Sequence, residues 1–138
     1  MNPIIKNILA VVVGWMAGSL VNMGLIQLGH RVKPIEGVDP TDMEALAEVM
    51  PTLSAEYFLF PLLAHALGTL VGAFVAGSIA TTRKMLFALV IGGLFFLGGI
   101  AAIVLFSGPT WFIVTDLLVA YFPMAWLGGT LAQRMQKS

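Results

Sequence analysis

Four apolar runs, at residues 4–28, 57–80, 85–106 and 111–131, take up most of this 138-residue chain. At about 1.5 Å per residue each is long enough, as a helix, to cross a hydrocarbon core roughly 30 Å thick. The two shorter connections, Thr81-Thr82-Arg83-Lys84 and Ser107-Gly108-Pro109-Thr110, make consecutive helices antiparallel neighbours. The expected fold is all-α: a polytopic membrane protein, a single domain over residues 1–138, built as a four-transmembrane-helix bundle. A 29–56 loop is the one long connection, and it is expected to hold a short amphipathic helix.

Composition narrows the function classes. Ten per cent of residues are charged, against roughly a quarter in ordinary soluble domains, and the mean hydropathy is +0.95. The lipid bilayer is the expected first partner. There is no cysteine, which excludes disulfides, thiolate metal sites and cysteine nucleophiles. A formal net charge of zero with no basic face argues against nucleic acid.

The seven basic residues are unevenly placed. Lys6, Arg83, Lys84, Arg134 and Lys137 fall on one side of a four-span arrangement. Arg31 and Lys33 fall on the other, beside six carboxylates from Glu36 to Glu56. The positive-inside rule then puts both termini in the cytoplasm of a cell, on this reading at a bacterial inner membrane, and the acidic loop outside. Trp111 and Tyr57 suit an interfacial belt, whereas Tyr121 and Trp126 lie too deep for one. The first run is too long for a secretory h-region and ends in no small-x-small site, so it reads as a retained span.

Within the loop, Asp39 is the expected helix N-cap, Pro40 the first helical position and Pro51 the stop. Met43, Leu46, Ala47 and Met50 recur at helical spacing between them. Such a helix lies on the bundle or headgroups, docks a partner, or forms a lid.

Small residues mark the packing faces of the apolar runs. Gly14, Gly18 and Asn22 form one row, Ala64, Gly68, Gly72, Ala76 and Ala80 another, and Asp116, Ala120, Met124, Gly128 and Ala132 a third. Residues four apart stack on one helix face, and helices in lipid approach through small residues because apolar burial gains little in an apolar solvent. Gly14, Gly18, Gly68, Gly72 and Gly128 are therefore the expected helix-packing positions. The third run has no polar side chain; its Gly92-Gly93 and Gly98-Gly99 pairs allow close contact, while its Phe and Leu face lipid or another subunit.

Three polar residues stand out inside the runs: Asn22, His65 and Asp116. Counted from the span ends, all lie roughly 8 to 12 Å below the outer boundary. An ionised carboxylate costs several kcal/mol at such a site, so Asp116 is expected to be paired, hydrated or protonated. His65 is the one titratable partner at that level. The expected network is a His65–Asp116 hydrogen bond completed by Asn22, with Gln27, Thr69 or Thr115 as further members. Pro123 predicts a kink below Asp116, and Pro61 another above His65 unless the helix begins there.

No metalloprotease, phosphate-loop or nucleophile-elbow motif is present, so an enzyme ranks third among the readings, and no cofactor or metal is expected. A metal set of Glu56, His65 and Asp116 would require Glu56 to fold inward. Two functions remain. The first is a structural, accessory or interaction subunit, whose partners are other membrane protein subunits and whose polar layer locks the helices. The alternative is a small transporter, a proton-linked permeation unit or a ligand-binding unit that uses His65 and Asp116, assembled as a homo-oligomer through the glycine rows.

Overall fold

Asn2 starts the first helix, α1 (Pro3–Val32): its side chain accepts the Ile4 N–H at 2.8 Å, while Pro3 takes a position that needs no donor. The computed structural model describes residues 1–137, which form helices and no strand. α1 runs four residues past the expected end at 28. Its last turn carries Arg31, a positive group suited to a helix C-terminus.

The loop helix, α2 (Met43–Val49), is capped differently from the expectation. Asp42, not Asp39, accepts the Ala45 N–H at 3.1 Å. Asp39 is taken up one step earlier, accepting the Thr41 N–H at 2.9 Å and the Thr41 hydroxyl at 2.7 Å, a local turn that presents Asp42 as the cap. Pro51 does not end the pattern outright but lies inside a one-turn 3-10 helix, Met50–Thr52. A second 3-10 turn, Ala55–Phe58, leads into α3 (Leu59–Ile79). Pro61 falls in the first turn of α3, where an N–H has no intrahelical partner to lose, and the helix continues through it.

After the 80–83 turn comes α4 (Lys84–Phe106), then α5 (Thr110–Val119) and α6 (Phe122–Lys137). The fourth run breaks at Ala120–Tyr121 instead of merely bending, because Pro123 offers no N–H to the Val119 carbonyl. Four segments, Pro3–Val32, Ala55–Ile79, Lys84–Phe106 and Thr110–Lys137, are long and apolar enough to cross a membrane. They run up and down, and the ends of the chain meet the 80–83 turn. Asn7 accepts from the Thr81 N–H at 2.9 Å and donates to the Thr82 hydroxyl at 2.9 Å, and Gln136 donates to the Ser78 carbonyl at 2.7 Å.

α3 is the central helix, packed against α1, α4 and α6. The interior is made of small residues, with a core of Ala73, Ala76, Ala88, Ile91 and Ala125, while Leu20, Leu97, Val104 and Leu118 point outward. Glycine is required at the closest approaches. A Cβ on Gly14 would sit 2.6 Å from the Gly72 carbonyl oxygen, and one on Gly128 2.5 Å from that of Leu70. In α4, Gly92 meets Ala125 and Gly99 meets the Tyr121 ring, whereas Gly93 and Gly98 have nothing within 4 Å.

α4 ends on Ser107, whose φ of 52° is left-handed and whose N–H donates to the Ile103 carbonyl at 2.9 Å. A side chain is strained in that conformation and glycine is not. Ser107→Gly is expected to raise stability by about 1 kcal/mol, read as a higher denaturant midpoint; an unchanged or lower midpoint contradicts the strain.

Candidate functional site: a polar cluster under an apolar cavity

His65 reaches the site from α3 and Asp116 from α5. Its Nδ1 lies 2.8 Å from Asp116 Oδ1, and Asp116 is only 2% exposed. A third member, Tyr121, donates its hydroxyl proton to Asp116 Oδ2 at 2.8 Å, lies 3.2 Å from His65 Nδ1 and stacks on the imidazole with ring centroids 5.9 Å apart. Residues five apart in a continuous helix point about 140° away from each other. Only the break at Ala120–Tyr121 lets Tyr121 turn back onto Asp116.

The remaining expected members stay out of this cluster. Thr69 donates to the His65 carbonyl and Thr115 to the Trp111 carbonyl, each at 2.7 Å, so both hydroxyls are satisfied within their own helices. Asn22 is pressed against Gly68, a Cβ on which would stand 3.0 Å from that of Asn22, and its Oδ1 is buried with no hydrogen-bond partner among the described residues. Gln27 lines the cavity above the cluster without bonding to it. Glu56 is engaged at the rim and does not fold in beside His65 and Asp116.

Between the cluster and the 29–56 loop lies a cavity of about 810 Å³, within the roughly 300–1,000 Å³ of ligand pockets. Met23 and Ile26 of α1, Phe60 of α3, Ala102, Ile103 and Phe106 of α4 and Phe112 of α5 form its walls. Leu46 and Met50 roof it, which is where the apolar face of the loop helix goes. His65, Asp116 and Gly99 are the residues of their helices lying deepest from the loop, and they make the floor. Below that floor the small-residue core closes the bundle.

The rim is charged. Lys33 at the end of α1 pairs with Glu56 at 3.0 Å and stands 4.9 Å over the Tyr57 ring. The hydrogen bond to Glu56 holds the Lys33 ammonium above its ordinary 10.5. Lys33's contribution to the folded state is lost as pH rises through its raised value. The clasp therefore holds across the whole neutral range. Both groups are exposed, so it positions the loop more than it stabilises the fold.

In surroundings this apolar, a net charge on the cluster is costly. Tyr121 is the member that sequence reasoning missed. Its signal was present: a tyrosine two residues before a proline deep in an apolar run needs a partner for its hydroxyl. Comparison with protein-family models, with characterised proteins and with solved structures finds no match to this chain.

Proposed function

We propose that this is an integral, multi-pass cell-membrane protein with both termini cytoplasmic, and that it binds a small lipophilic molecule in the cavity beneath its outer loop. The outward-facing Leu and Val side chains, over an interior of Gly and Ala, support the membrane assignment, since such a surface is suited to lipid and not to water. The basic residues at the end shared by the termini and the 80–83 turn support the orientation.

The observation that carries the binding reading is the 810 Å³ cavity, mostly apolar in its walls, with the His65–Asp116 cluster on its floor and Gln27, His30, Arg31 and Lys33 lining it nearer the loop. Walls of Ile, Phe and Met favour an apolar body, and the polar groups at the floor and the rim orient it. Closure of the bundle below the floor favours binding from the loop side or from the outer leaflet over permeation through this one chain.

The same cluster also supports a helix-locking role, because it ties α3 to both halves of the fourth run. The experiment is native mass spectrometry of the gently extracted protein, beside Ala102→Trp, which fills the cavity from α4. One lipophilic adduct per chain, absent from the variant, is the expected result. Wild-type protein that carries no adduct, or a variant that keeps it, leaves the locking role alone.

A further inference from the structure

The chemistry of the cavity floor selects among lipophilic ligands. With Tyr121 donating to Asp116 Oδ2, two arrangements leave the His65–Asp116 pair without net charge: an imidazolium beside a carboxylate, or a neutral imidazole accepting from a carboxylic acid. They differ in which side of the 2.8 Å contact holds the proton. They agree about the other ring nitrogen. If Nδ1–H donates to a carboxylate, the imidazolium also carries a proton on Nε2; if Nδ1 accepts from the acid, the neutral ring has its proton on Nε2.

In both, Nε2–H is a donor, and it has no partner among the described residues. His65 lines the cavity with about a fifth of its side chain exposed. The acceptors of the cluster are used up on the other side: Asp116 Oδ1 faces His65, Oδ2 takes the Tyr121 hydroxyl, and its side chain is 3% exposed. The donor left unengaged at the floor is thus His65 Nε2–H, while the Gln27 amide lines the cavity above it. An anion or an ammonium group there would bring an uncompensated charge among Phe60, Ile103 and Phe112, at a cost of several kcal/mol.

We propose that the ligand is an uncharged lipophile bearing a carbonyl oxygen, as in a ketone, ester or quinone, which accepts a hydrogen bond from His65 Nε2–H while its apolar body fills the cavity. This rests on the lipophile-binding reading above and adds the ligand's chemical class.

The test compares three probes of one size, acetylnaphthalene, isopropylnaphthalene and naphthol, binding to the full chain in nanodiscs, with empty nanodiscs as the partition blank. The ketone is expected to bind about tenfold more tightly than the hydrocarbon, the advantage of one satisfied hydrogen bond. In the His65→Leu/Asp116→Leu double variant, which leaves no carboxyl stranded on the floor, that ratio should fall to about one. Equal binding of ketone and hydrocarbon, or a preference for naphthol, overturns the carbonyl assignment and leaves lipophile binding standing. Failure of all three to bind above the blank overturns both. Nitrogen NMR of wild-type His65 needs no variant: a proton on Nε2 is expected, and a bare Nε2 overturns the assignment.

Discussion

Gly72→Leu should abolish the folded bundle or cost it more than about 3 kcal/mol, above the usual 1–3 for overpacking. A Cβ at Gly72 would stand 2.8 Å from the Gly14 carbonyl oxygen and 3.0 Å from Ile91 Cγ2. The first of these is backbone and has no rotamer to move into. Leucine would therefore push α1 away from α3 along the whole row through Gly14 and Gly18. Gly98→Leu is the control, since nothing lies within 4 Å of that position, and its effect should stay within about 0.5 kcal/mol. Unfolding both variants with SDS from mixed micelles measures the difference. Similar losses would show that close helix approach is not what holds the bundle.

The second large effect concerns the polar cluster. His65→Leu leaves the Asp116 carboxyl buried with Tyr121 alone, and the expected loss is about 2–3 kcal/mol. A single hydrogen bond between helices in lipid averages only about 0.6 kcal/mol, so most of that loss is the stranded carboxyl and not the missing bond. It follows that His65→Leu combined with Asp116→Leu should recover to within about 1 kcal/mol of the wild type, while losing any preference for the ketone probe. Additive losses in the double variant would mean the two residues are not coupled, and the proposed centre would have no physical basis.

The helices were legible because apolar length alone signals them, and the glycine rows because spacing by four can signal only one helix face. The meeting of His65 and Asp116 was legible for a related reason, since a charge deep in an apolar run has few ways to be satisfied. Tyr121 was not, because its place depends on the break at Ala120–Tyr121, and a proline in a sequence marks a lost hydrogen bond without giving the angle that results. Asn22 shows the converse error. Depth counted along α1 put it level with His65, but a shared level does not fix which side of a helix meets which neighbour, and it faces Gly68 instead. The cavity was invisible as well: an unfilled volume is a property of several helices together, and no one stretch of sequence contains it. The loop helix was readable as amphipathic, yet what its apolar side covers was not.

The interruption at Ala120–Tyr121 also divides the fourth segment mechanically. α5 is a ten-residue lever whose lower end is already detached from the helical ladder, since Val119 has no N–H from Pro123 to lose. Tilting it about that point breaks no backbone bond and disturbs mainly the side chains of Phe112 and Asp116. The cavity wall that carries Asp116 is therefore the one whose helix is interrupted at its lower end.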